Sequence, residues 1–226
     1  MAGIGMVSAL GPGSGSAAVM GGAAPVPDWW DLGGTIACCV AAYQPKGAAS
    51  YAASLINLAN PGTYDATAGV APTWAAGTGW SFDGTQWLSS GYDANVNTCS
   101  IIARFANVVN DDNIGTAIGD GRNALQPIYF ANHLYRNGLA QFPLGANVAA
   151  GIMMVTPTDA FLNGVSEGPY LTDGVNKAGP LLLGADGNGG VPYAGEHLTG
   201  DIIAIGIYSC DISAFALALA TAMAAP

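Results

Sequence analysis

The chain has 226 residues, 51% of them hydrophobic and 9% charged, with a net charge of -10. Its five cations, Lys46, Arg104, Arg122, Arg136 and Lys177, are scattered, which excludes the concentrated positive charge that a nucleic-acid backbone or an anionic membrane surface requires. The 33 Gly and 13 Pro point to many tight turns rather than long helices, and no apolar run reaches the ~20 residues of a membrane-crossing helix.

Residues 1–27 are Gly, Ala, Ser and Pro with sparse Ile4, Met6, Val7, Leu10, Val19 and Met20, and carry no charge. Such a segment cannot build its own core, so it reads as an extended arm that a neighbouring copy holds in place. It lacks a Lys or Arg n-region, and Gly and Pro interrupt its apolar run, so it does not read as a signal peptide. Pro25-Val26-Pro27 closes the arm, and residues 28–226 form one domain.

Thr35 to Tyr43 predicts a first buried strand, and Lys46 to Leu58, with Tyr51, Leu55 and Leu58 at helical spacing, predicts one short helix. Asn60-Pro61-Gly62 stops it. Short strands follow at Gly79–Phe82, Gln86–Ser89, Cys99–Phe105, Asn113–Gly119, Gln126–Ala131, His133–Arg136, Gly151–Thr156, Ala160–Leu162, Leu181–Ala185 and Thr199–Tyr208. Asp83-Gly84, Asn137-Gly138 and Asn163-Gly164 are hairpin signals, because these residues tolerate positive φ. The tail 211–225 predicts an apolar helix capped by Asp211 or Ser213, which must be buried against the domain or a partner. Many short strands without crossover helices mean an all-β, two-sheet antiparallel jelly-roll sandwich with a short C-terminal helix.

The four cysteines contain no CxxC pair, so a zinc site is not expected. Cys38, Cys39, Cys99 and Cys210 read as buried free thiols. The alternative is one disulfide between Cys210 and Cys38 or Cys39, which requires the first and last strands to be neighbours.

Gly79-Trp80-Ser81-Phe82-Asp83-Gly84-Thr85-Gln86-Trp87-Leu88, the alternating strand Cys99–Phe105, the Asn163-Gly164 tip, Leu183-Gly184, Leu198-Thr199-Gly200-Asp201 and the strand to Tyr208 stand in a particular order. In that order, over residues 32 to 224, the chain resembles the concanavalin A-like, laminin-G-type jelly-roll family. Tyr43 to Tyr51 leading to Asn57–Gly62 looks like variants found in bacteriophage and prophage proteins. The resemblance implies a virion-surface protein, a capsid decoration, head fibre or tail adhesin, whose arm contacts other copies or a capsid or tail protein.

Glycosidases of this fold place carboxylates on one strand, as in E-x-D-x-x-E. The chain has only Glu167 and Glu196, both in Gly/Pro-rich surroundings read as loops. No G-x-S-x-G accompanies His133 or His197; His133 reads as a satisfied structural histidine and His197 as a loop residue. The expectation is therefore a protein that is not an enzyme. The family sometimes binds calcium through loop oxygens, and Asp111 and Asp112 beside Asn113, or Asp186 with Asn188, offer such donors. Both stretches are also ordinary turns, and no other cofactor is implied. The alternative function is recognition of host-surface glycans, which calls for an exposed Trp or Tyr with Asn and Asp nearby; in the motif, Trp80 and Trp87 read as core or sheet residues.

Overall fold

The computed structural model describes residues 28–95, 97–109, 114–137, 140–169 and 179–225. The stretch expected to be an extended assembly arm, 1–27, lies outside the described residues. In chain order the described elements are β1 (Cys39–Tyr43), α1 (Tyr51–Ser54), β2 (Thr67–Val70), β3 (Thr73–Ala75), β4 (Gly79–Asp83), β5 (Trp87–Asp93) and β6 (Ser100–Ala106). There follow β7 (Ile114–Gly115), β8 (Ile118–Gly119), β9 (Asn123–Tyr129), β10 (Asn132–Asn137), β11 (Ala140–Leu144), β12 (Gly151–Val155), β13 (Asp159–Leu162) and β14 (Val165–Pro169). The last are β15 (Pro180–Leu183), β16 (Ala185–Asn188), β17 (Val191–His197), β18 (Thr199–Tyr208) and α2 (Ala216–Ala224).

The first sheet runs β14-β13-β12-β6-β18-β4-β3, with β1 on the far half of β18. The second runs β11-β10-β9-β8-β15-β5-β2, with β7 on β9. β16 and β17 form a separate two-stranded ribbon. All pairings are antiparallel, so the expected two-sheet sandwich is the architecture.

Period-2 alternation places the core. Leu88, Leu183, Ile118, Leu125 and Tyr135 stand opposite one another across the second sheet and face the first sheet, and the row ends at the edge strand with exposed Ala68. The adjacent row, one residue along, is Thr67, Ser89, Leu182, Gly119, Ala124 and Arg136. It points to the opposite face and is small or polar apart from Leu182.

The first sheet differs, because both of its faces are covered. Ile101, Ala103, Phe105, Met153, Val155, Ile205 and Ile207 face the core between the sheets. Ile102, Ile152, Met154, Ala204 and Tyr208 face outward, beneath Leu219 and Met223 of α2 together with Trp29 and Ile36. Double coverage explains why β12 and β18 read as continuous apolar runs, and why β6, read as an alternating strand, is buried on both faces. Arg104, also on β6, donates from Nη1 to the Met223 carbonyl at 2.7 Å, satisfying a carbonyl of the last helical turn.

The first and last strands are neighbours, with Cys39 opposite Tyr208 and Tyr43 opposite Ile205. That register brings Cys38 and Cys210 together, Cα to Cα 6.0 Å, and they form a disulfide. Cys39 and Cys99 stay free, so the all-thiol reading holds for two of the four.

Local expectations shift where side chains replace regular structure. β1 starts at Cys39 rather than Thr35, because residues 29–35 are turns, with the Ile36 amide bonded to the Asp31 carbonyl. Ile36 is buried on the outer layer, not between the sheets, and Val40 is half-buried. The expected helix shrinks to the single turn of α1, capped by Ser50. Leu55 caps its end, and Asn57 then turns to β1: its Oδ1 accepts from the Ala42 and Ala59 amides, and its Nδ2 donates to the Val40 and Thr63 carbonyls, doing for β1 what a strand would do. Asp83-Gly84 does not close a hairpin; it carries the chain from β4 in one sheet to β5 in the other. Asn163-Gly164 does turn β13 into β14, with φ of 52° and 79°. Among the described residues, no helix is long and apolar enough to cross a membrane.

Candidate functional site

Asp111 and Asp112, two of the expected calcium donors, lie outside the described residues. The other two separate: Asn188 is exposed at the end of β16, whereas Asp186 is fully buried. Asp186 accepts from Arg136 Nη1 at 2.8 Å and from the Gly121 and Gly187 amides. Its oxygens are thus engaged with a guanidinium and backbone amides, and they serve to fasten the ribbon to the second sheet. The fit depends on Gly119, where a Cβ would stand 2.6 Å from Asp186 Oδ1. Burial pushes the Asp186 carboxyl up to about 6, against the pull of Arg136. Asp120, buried and accepting from the Arg122 and Asn123 amides, is also raised by burial. Glu196, on β17 rather than in a loop, adds its charge to the Asp186 surroundings. Among the described residues, no three His, Cys, Asp or Glu gather as a metal site would require.

A second polar cluster clasps the sheets at an edge. His133 and Tyr135 of β10 meet Glu167 of β14, also a strand residue rather than a loop residue. His133 Nε2 lies 2.8 Å from Glu167 Oε2, and the Tyr135 hydroxyl lies 2.7 Å from the same oxygen and 2.8 Å from the Phe161 carbonyl. His133 Nδ1 faces the Ala146 carbonyl at 2.7 Å, so it carries a hydrogen. The Nε2 contact then requires a further proton, held by the imidazole or the carboxyl. Both ring nitrogens are partnered, as expected of a structural histidine. His197 ends β17 opposite Ala185 and is not a loop residue.

The outward face of β2 and β5 is different in kind. Trp87, Ser89 and Asp93 point away from the core, with Thr67 opposite Ser89. The Trp87 indole lies on Gly69: a Cβ there would fall 2.1–2.4 Å from three of its ring atoms. Trp87 is partly exposed, unlike the fully buried Trp80, so the pairing of these two as core or sheet residues holds for Trp80 in the core and for Trp87 only as a sheet residue. Tyr64, 39% exposed, sits beside Gly91 and meets Tyr92 edge-on at 5.3 Å. Its φ of 59° is unusual for a bulky residue, and the Tyr43 hydroxyl holds its carbonyl. The ribbon bounds the strip on one side. Gly187 rests on Leu182, and Gly189 abuts Gly179, whose amide donates to Asp93 Oδ1 at 2.8 Å. The result is an aromatic surface with hydroxyl and carboxylate groups beside a wall. Nothing in the local sequence distinguishes Trp87 from Trp80 except Gly69, whose partner is set by strand pairing.

No protein-family model matches the chain, and no curated protein matches it. Solved structures share its fold. A mutant of Trypanosoma rangeli sialidase displaying trans-sialidase activity matches with a TM-score of 0.57 at 12% identity, over 83% of this chain and 33% of that one. The Trypanosoma rangeli sialidase itself gives 0.56 at 12%, over 84% and 33%. A mutant of HCR/D gives 0.52 at 11%, over 81% and 51%. The chain thus spans about a third of the length of the sialidases it matches.

These findings overturn the expectation that the protein is not an enzyme. That exclusion rested on the missing E-x-D-x-x-E and G-x-S-x-G motifs and on Glu167 and Glu196 being read as separate loop residues. The fold is one found in sialidases, and Asp186 comes within electrostatic reach of Glu196 and of Asp120, which is distant in sequence.

Proposed function

We propose that the chain is a carbohydrate-recognising sandwich whose sugar site is the strip of Trp87, Tyr64, Thr67, Ser89 and Asp93 beside the ribbon. The observation that carries this reading is the Trp87 indole on Gly69: one ring face rests on backbone while the residue stays partly exposed. An aromatic ring held in this way is a stacking platform for the apolar face of a pyranose, and the flanking hydroxyls and carboxylate supply the directional contacts that orient it. Trp87→Ala is expected to weaken oligosaccharide binding at least tenfold, about 1.4 kcal/mol, in isothermal titration, while thermal unfolding shifts little. Undiminished binding would sink the proposal. Turnover of the same sugars is measured alongside, since the fold leaves that activity open.

Display on a phage particle is a second proposal. The Cys38–Cys210 disulfide supports an oxidising, extracellular location, and the 9% charge content supports a surface largely covered by partners. Deleting residues 1–27 is expected to leave the domain folded and to weaken its assembly with copies of itself or with a capsid or tail protein. Sedimentation of the truncated and full-length chains checks this, and identical assembly would refute it.

A further inference from the structure

We infer that the Trp87 strip selects uncharged saccharides over sugars bearing a carboxylate, because the fold withholds its described cations from that face; the inference rests on the strip being the sugar site. Arg136 faces outward from the same sheet, in the row of Ser89 and Leu182, and is the cation closest in register to the strip. The ribbon covers that row at Leu182, and Asp186 engages Arg136 at 2.8 Å. Arg122 sits in the turn before β9, where its amide donates to Asp120. Arg104 is on the outer face of the other sheet, at the end of α2. Lys46 belongs to the groove formed by Gln44, Gly47, Ala53, Ile56 and Leu58.

Among the described residues, the charge at the strip is Asp93, exposed on β5, within a chain of net charge -10. A sugar stacked on Trp87 and bonded to Ser89 or Asp93 brings its substituents close to that carboxylate. A like charge about 4 Å away costs about 1 kcal/mol in water, which corresponds to a roughly fivefold loss of affinity. Salt shrinks it, since the Debye length falls from about 10 Å at 0.1 M to about 3 Å at 1 M. Hydroxyls, a carboxylate acceptor and an indole instead match a neutral pyranose, whose hydroxyls donate to Asp93 and whose C–H face covers the ring.

The test uses the full-length oxidised protein and matched oligosaccharide pairs that differ only in a terminal sialic or uronic acid. Binding is titrated at 20 mM and 500 mM NaCl, for the native chain and for Asp93→Asn, which keeps the Oδ1 acceptor for the Gly179 amide. The expected result is neutral sugar bound several-fold more tightly at low salt, with the ratio narrowing at high salt and in Asp93→Asn. An acidic sugar bound equally or better at low salt overturns the inference while leaving the sugar site standing. Failure of both sugar classes to bind in a Trp87-dependent way removes the site itself, and the inference with it.

Discussion

Reducing the Cys38–Cys210 bond, or replacing Cys210 by Ser, is expected to cost about 2–5 kcal/mol of stability. The two cysteines are 172 residues apart, so the bond closes a loop of most of the domain and removes many conformations from the unfolded chain. Chain-entropy reasoning places such long loops at the upper end of that range. Folded domains are stable by only about 5–15 kcal/mol, so this is a large share, on the order of 10 °C in Tm for a chain of this length. The native pairing should survive, because the Ser209 amide still bonds the Cys38 carbonyl and β1 still lies on β18. The free thiols are poor substitutes. Cys99 is buried and its thiol is pushed well up by burial, and burial pushes Cys39 up to about 12. Calorimetry of oxidised and reduced protein measures the effect, and a Tm unchanged within 2 °C would contradict it. Thiol titration of the denatured, unreduced chain should find two free thiols, Cys39 and Cys99.

Removing the Arg136 charge is expected to be costly in a pH-dependent way. Arg136→Leu leaves Asp186 buried without its cation, and breaking a buried pair in this manner costs about 3–5 kcal/mol. The sign follows from Asp186. Its folded carboxyl is pushed up to about 6, above the ordinary value of 3.8, chiefly because of burial. Folding therefore favours its protonated form. The stability it contributes is complete below its ordinary value and is lost as the pH rises through about 6. In Arg136→Leu the carboxyl loses the pull of the guanidinium and stays protonated to higher pH. The variant should thus approach the native chain at pH 5 and fall furthest below it at pH 8. Urea unfolding at both pH values provides the comparison. An equal loss at pH 5 and pH 8, or a loss under about 1 kcal/mol at pH 8, would show that the pair does not anchor the ribbon.

Local sequence determined a good deal of this protein. The alternating set of Cys99–Phe105 and the apolar run of Thr199–Tyr208 are set by each strand's own residues, so they identified strands and the sandwich. Asn163-Gly164 predicted its turn, because positive φ is a property of those two residues alone. Asp83-Gly84 carries the same local signal, yet the turn links two sheets, since Phe82 and Leu88 must both reach the core from opposite sides. Tertiary structure alone decided which partners meet. Cys38 found Cys210 rather than Cys39 doing so through the β1–β18 register, and Arg136 found Asp186, 50 residues away, through the fold of the ribbon. Trp87 became a surface platform and Trp80 a core residue because the indole of one lies on Gly69, at the irregularity of β2, and the core between the sheets surrounds the other. A residue's conformational preference is written in its own chemistry, whereas its neighbours across a sheet depend on the pairing of every strand between them.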